Sequence, residues 1–236
     1  MPVRESAQAR RQRVQFEKER RALQRALPKA IKAAARNSGW LTKQGTLFRE
    51  ADGWFIEVHA IPWVIEAKTP ARLHCKPMGL DPIFWQLTGM DENNGQPLSF
   101  RAFGAFTCRT PTLREADIPE ESGSAERIAE NLLAWADEQF QSLRGTMTTD
   151  AFIEFIRKQP DQVERKRHLV PLILGLLFQG KDEEALAIAQ AAKARSDGGL
   201  FSGDGGFIFN IHGQFKSFTD LAIEQIGDKL RSRIVN

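Results

Sequence analysis

Thr46-Leu47-Phe48-Arg49-Glu50-Ala51-Asp52-Gly53-Trp54-Phe55-Ile56-Glu57-Val58-His59-Ala60-Ile61 is the stretch whose reading decides the fold class. Two runs rich in β-branched and aromatic residues, 46–50 and 54–61, flank Ala51-Asp52-Gly53, a turn of the hairpin kind, so they are expected to pair antiparallel. Pro62 ends the second run, and a loop through Thr69 and Pro70 leads to a third expected strand over 71–78. A fourth is expected over 98–109, after an insert whose Asp91-Glu92-Asn93-Asn94-Gly95 segment reads as an exposed loop. Upstream, Gly39 is a natural helix C-cap, and beyond it the hydrophobic period changes from 3.6 to 2. The expected fold class is α+β: an antiparallel sheet of about four strands covered by helices, followed by a helical C-terminal region.

Alternation along these strands sorts their side chains onto two faces. Leu47, Trp54, Ile56, Val58, Leu73, Cys75, Phe100, Ala102, Phe106 and Cys108 form an apolar face that needs helices to cover it. The opposite face collects Phe48, Glu57 and Arg109 together with seven candidate partner- or anion-binding residues: Phe55, His59, Arg72, His74, Lys76, Arg101 and Phe103. A hairpin centred near residue 66 sets His59 opposite His74 across the strands. One reading makes this a shallow anion or partner site, with Arg72, Arg101 and Lys76 as charges and the two histidines as donors or titratable groups. The other makes it a solvent-facing sheet surface on which such residues merely favour strand conformation. Glu57 would be a third ligand for a metal on the histidines, but the pattern calls for no metal and no cofactor.

Charge is distributed unevenly. Residues 1–36 carry eleven Lys/Arg against three Glu, whereas the remaining 200 residues carry 22 basic and 27 acidic side chains. The opening stretch is rich in helix formers and its apolar content is thin until Leu23; from there Leu23, Leu27, Ala30, Ile31 and Ala34 share one helical face suited to docking. Pro28 must start a new helix or kink the old one. The division expected is a basic arm over 1–22, a sheet domain over 23–145 and a helical region over 146–236 that packs separately or with the sheet. Arg10, Arg11, Arg13, Lys18, Arg20, Arg21 and Arg25 would neutralise phosphates if the arm bound nucleic acid. With no interleaved aromatics and no DNA-binding motif, a solvated helix with ion pairs such as Glu17–Arg21 is the simpler reading.

Ser38-Gly39-Trp40-Leu41-Thr42-Lys43-Gln44-Gly45-Thr46-Leu47-Phe48-Arg49-Glu50, followed by Gly53-Trp54-Phe55-Ile56-Glu57-Val58, resembles an uncharacterised bacterial α+β domain family. In that family an amphipathic helix leads through a Gly-aromatic step and a Gly-containing turn to a Phe-Arg strand. The resemblance spans residues 23–145 and implies an α+β fold, carries over no catalytic residue, and points by association to an immunity or accessory role.

Downstream, Ser124 is the expected N-cap of a helix whose face is Ile128, Leu132, Trp135, Ala136, Phe140 and Leu143, stopped by Gly145. Thr148 or Thr149 caps the next, which ends before Pro160. A helix over 162–178, kinked or restarted near Pro171, is followed by one capped by Asp182 and running through Arg195; this pair resembles a single tetratricopeptide-type hairpin, too few to build a superhelix. The segment 198–206 holds five glycines and reads as a flexible connector, lacking the spacing of a phosphate or calcium loop. A short apolar segment and a final amphipathic helix over 218–235 close the chain.

The longest strongly apolar run, 169–178, is about half of a membrane span, and the basic N-terminus precedes no apolar signal region; a cytoplasmic protein is expected. Cys75 and Cys108 fit no zinc spacing and should be reduced and buried. With no tyrosine, phenolic chemistry is excluded, and no nucleophile–base, GxSxG or HExxH motif occurs. The function expected is a non-enzymatic module that binds another protein, with no membrane partner. The alternatives are nucleic-acid binding through the arm, and an enzyme or anion binder using His59 and His74.

Overall fold

The computed structural model describes residues 6–103, 106–120, 124–158, 168–195, 209–211 and 214–235. Helix α1, Ala7–Ala34, opens on Ser6, whose hydroxyl accepts from the Ala9 amide at 3.1 Å, and continues unbroken through Pro28. The basic arm and the amphipathic segment from Leu23 onward are therefore one helix. A turn of 3-10 helix, Ala35–Asn37, and Gly39 at φ +80° end it, as the cap signal requires.

An antiparallel five-stranded sheet follows in simple chain order: β1 Leu41–Lys43, β2 Thr46–Ala51, β3 Trp54–Ala60, β4 Pro70–Pro77 and β5 Arg114–Asp117. Gln44-Gly45 and Asp52-Gly53 join the first three strands, and all four turn residues have positive φ, the type I′ geometry whose twist matches that of the strands. Three expected strands are present within one residue or so of their expected ends. The fourth is not: 98–109 contains a short helix, α3 Phe100–Phe103, wound by carbonyl acceptors at Pro97, Leu98 and Ser99. Apolar alternation over so short a segment fits a helical turn as well as a strand, and tertiary bonds decide between them. The strand that pairs with β4 is instead Arg-Glu-Ala-Asp, with Arg72 opposite Glu115 and their side chains 3.1 Å apart. Its charges suit an edge strand.

The chain forms two compact units, whose boundaries fall within β2, β3 and β4. The first comprises residues 1–49, 56–74 and 112–144. Here α1 packs on α4, Ala125–Leu143, which is capped by the Ser124 hydroxyl and ends before Gly145 at φ +77°. Trp40 donates its indole N–H to Asp137 at 2.8 Å and meets Phe140 edge-on, while the Arg49 guanidinium lies 3.9 Å from the centre of the Phe140 ring.

The second unit comprises residues 50–55, 75–111 and 145–236. Its helices are α2 Leu80–Thr88, α3, α5 Thr149–Arg157, α6 Leu169–Phe178, α7 Asp182–Ala194 and α8 Phe218–Val235. Helix α6 is apolar on nearly every side and packs on α2, α5 and α7; α8 packs on α7 and α2. Pro171 lies in the first turn of α6, where its missing N–H costs nothing. Asp182 does not cap α7: its buried carboxylate accepts from Lys229 at 3.0 Å and forms an ion pair with Arg233 at 2.8 Å, both on α8. Strands β6 Phe209–Ile211 and β7 Gln214–Lys216 form a separate hairpin. The expected connector at 198–206 and the first part of the expected helix at 162–178 lie outside the described residues. Among the described residues no helix is long and apolar enough to cross a membrane.

Gly45 is fixed twice over. Its φ is +82°, and a Cβ there would come within 3.2 Å of the Pro28 ring. Gly53 has almost the same φ, +79°, with nothing within 4 Å. Gly45→Ala should therefore destabilise by about 1–3 kcal/mol, and by more than Gly53→Ala, in urea unfolding of the two variants. Equal losses would mean that the approach to Pro28 carries no weight.

Candidate functional site

Arg20 is an arginine on a helix that otherwise shows its cations to solvent, yet it is only 5% exposed. Its Nε donates to the Trp63 carbonyl at 2.7 Å and its Nη2 to the Lys68 carbonyl at 2.6 Å. The same guanidinium makes a two-pronged pair with Glu120, whose carboxylate also accepts from the Thr69 hydroxyl. A buried fork of this kind is both strong and directional. One side chain thus fixes the β3–β4 connection to α1 and to the segment before α4. Gln24, one turn further along α1, adds a bond from its side-chain amide to the Pro62 carbonyl at 2.6 Å.

The connection so held is a hairpin extension of β3 and β4. Ile61 N–H donates to the Pro70 carbonyl and Trp63 N–H to the Lys68 carbonyl, which turns the chain through 64–67. Backbone groups are thereby satisfied, while the apolar side chains point outward: Ile61 is 58% exposed, Trp63 42% and Ile65 76%. Loops usually show polar side chains and mobile backbone; this one shows apolar side chains on a pinned backbone. Beside it lies a cleft of about 310 Å³, floored by Leu27, Pro28 and Ile31 of α1 and walled by the Gln44-Gly45 turn and by Ala60, Ile61 and Pro62. That volume is at the lower end of ligand-sized pockets.

The expected sheet-face residues fall into two groups. In the first unit the bonds Ile61–Pro70 and Met78–Gly53 put His59 opposite Arg72 rather than opposite His74, and His74 is its diagonal neighbour across β3 and β4, the two rings stacked with centroids 5.2 Å apart and planes 9° from parallel. Both are half-buried, and Arg72 beside them is exposed and engaged with Glu115. In the second unit Phe55 is 1% exposed and Lys76 3% exposed, so neither can meet a partner. The Lys76 ammonium donates to Asp81 at 2.9 Å, to the Cys108 carbonyl at 2.8 Å and to the Arg101 carbonyl at 3.1 Å, and lies over the Phe55 ring. Arg101 sits on α3 rather than on a strand, bonding Asp81 at 2.8 Å and the Met78 carbonyl at 2.9 Å; Phe103, also on α3, is half-buried.

Asp81, fully buried in the first turn of α2, accepts from Lys76, Arg101 and the Cys108 amide. All three ammonium protons are used, so Lys76 has none left for an anion. Removing one member of such a buried set typically costs about 3–5 kcal/mol. These charges are scaffold. The sequence carried one sign of this, a lone acid inside the apolar stretch Leu80-Asp81-Pro82-Ile83-Phe84-Trp85.

Of the seven arm residues, Arg10, Arg11, Arg13, Lys18, Arg21 and Arg25 are exposed on α1, and Glu17 takes ion pairs from Arg13 at 3.2 Å and from Arg21 at 3.7 Å. Arg20 alone is withdrawn from the surface. Sequence reasoning grouped it with its neighbours because nothing in its local spacing separates it from them; its partners lie between 43 and 100 positions away. Among the described residues no group of three or more His, Cys, Asp or Glu side chains could hold a metal ion.

No protein-family model, curated protein or solved structure matches the chain.

Cys75 and Cys108 are buried, and burial pushes both thiols up to about 12. Neutral thiols are poor nucleophiles. The folded protein should leave a disulfide reagent such as DTNB unreacted at about pH 8, with both thiols titrating once denaturant is added. Rapid native-state reaction of either would place it at the surface.

Proposed function

We propose that the protein is a protein-binding module whose contact surface is the pinned loop Ile61-Pro62-Trp63-Val64-Ile65 and the cleft beside it. The observation that carries this reading is the pairing of three exposed apolar side chains with a backbone held by Arg20 and Gln24. Ordering a contact loop before binding removes much of the entropy cost of association. Tryptophan is among the residues enriched at the few positions that dominate binding energy at protein interfaces. The surface these side chains leave exposed is available to a partner.

This surface replaces Phe55 and Lys76 as the proposed contact, since both of those are buried. Arg72 and the stacked His59–His74 pair belong to the same unit as the loop and remain accessible in part.

Trp63→Ala combined with Ile65→Ser should leave thermal stability within about 0.5 kcal/mol of wild type, as expected for exposed positions, and should abolish quantitative recovery of partners from native-cell extract. Arg127→Ala, at an exposed α4 position, is the matched control and should recover them in full. Equal recovery by wild type and the loop variant would overturn the proposal.

A further inference from the structure

Arg11, Lys18, Arg25 and Lys32 recur every seven residues along α1. Seven residues are close to two helical turns, so the four lie in one row, spanning about 31 Å at ~1.5 Å of rise per residue. All four are exposed, and none has a hydrogen-bonding or ion-pairing partner among the described residues. Lys29, also exposed, stands one turn beyond Arg25 on the same side. The two acidic residues of α1 do not interrupt the row: Glu17 is taken up by Arg13 and Arg21, and Glu19 accepts from the Gln15 amide at 2.7 Å.

The row has a fixed relation to the cleft. Gln24 and Ile31 line the cleft, and Arg25 and Lys32 are the next residues in sequence, about 100° further round the helix. Leu27, Pro28 and Ile31 are thus bordered along their length by cations, with the exposed Trp63 and Ile65 carried on the loop that forms the opposite wall. The cleft, the exposed apolar side chains of the loop and the basic border all belong to the first unit.

Resting on the protein-binding reading above, we infer that the occupant of this surface is an acidic amphipathic segment of the partner protein. Its apolar residues would enter the cleft between α1 and the pinned loop, and its carboxylates would lie along Arg11, Lys18, Arg25 and Lys32. Charge complementarity argues for the acids, because a solvent-facing row of cations with no counter-charge among the described residues steers and orients an anionic partner. The apolar surface argues for a peptide rather than a nucleic acid: Ile61, Trp63 and Ile65, with the partly exposed Pro28 beside them, offer apolar contact that a phosphodiester backbone cannot use. An amphipathic helix laid into a groove is a common way to satisfy both demands.

The test uses the full-length chain and fluorescein-labelled probes in anisotropy titrations at physiological salt. One probe is a peptide with Leu on one helical face and Glu on the other; the others are a scrambled peptide of the same composition and a short DNA duplex. The amphipathic peptide should bind at least about tenfold more tightly than the scrambled one. Arg25→Glu with Lys32→Glu, and separately Trp63→Ala, should each weaken it by about tenfold or more. Tighter binding of the duplex, insensitive to Trp63→Ala and falling steeply with salt, would overturn the inference and make α1 a nucleic-acid surface. So would equal affinity for the two peptides, absence of peptide binding, or self-association of the wild type that the charge reversal abolishes, which would seat a second copy in the cleft. Partner recovery from extract separates the two proposals. If recovery is lost on Trp63→Ala with Ile65→Ser but survives the charge reversal, the protein-binding reading stands and the acidic segment falls.

Discussion

The Arg20 guanidinium is the constraint on which the first unit depends. It reaches from α1 to two carbonyls of the β3–β4 connection and to Glu120, so three segments distant in sequence share one buried charge. The desolvation of that charge is offset only while the fork is complete. Without it the Trp63 carbonyl loses its side-chain donor and the Lys68 carbonyl keeps only the Trp63 N–H, and a loop bearing three exposed apolar side chains has little reason to keep one conformation. The proposed function follows from this coupling: the same bonds that dock α1 hold the contact surface in shape.

The second unit uses the same physics for a different end. Asp81 gathers Lys76, Arg101 and the Cys108 amide, and Asp182 gathers Lys229 and Arg233. Both carboxylates sit in the first turn of a helix, where the exposed amide dipoles favour negative charge. Both bind cations supplied from other elements, fixing how those elements pack. Charges that look like site residues when read one by one are spent in this way on the scaffold.

That is why fold and site differed in how far they could be read. The β2–β3 hairpin, the Ser124 and Thr148 caps, the Gly39 and Gly145 stops and the His59–His74 juxtaposition are local or follow from a two-residue period, and each is present. β5 was missed because an edge strand of Arg-Glu-Ala-Asp has no apolar alternation to show. The region 98–109 was misread because the bonds that shape it, from Arg101 and from the Cys108 amide, run to Asp81. Alternation groups Phe55 and Lys76 on one face of β3 and β4, but it cannot tell a solvent face from one that α2, α3 and the segment around Cys108 supply with a carboxylate and two carbonyls. The exposed loop escaped notice for the opposite reason, since Ile61, Trp63 and Ile65 look like ordinary core residues in a sequence.

Hydrogen exchange of the Trp63 amide, in wild type and in Arg20→Met, reads whether this guanidinium holds the loop. Strong protection is expected in the wild type and faster exchange of Trp63 and its loop neighbours in the variant, with the amides of α5 and α6 unchanged. Protection of Trp63 that is the same in both proteins would show that the loop keeps its shape without Arg20.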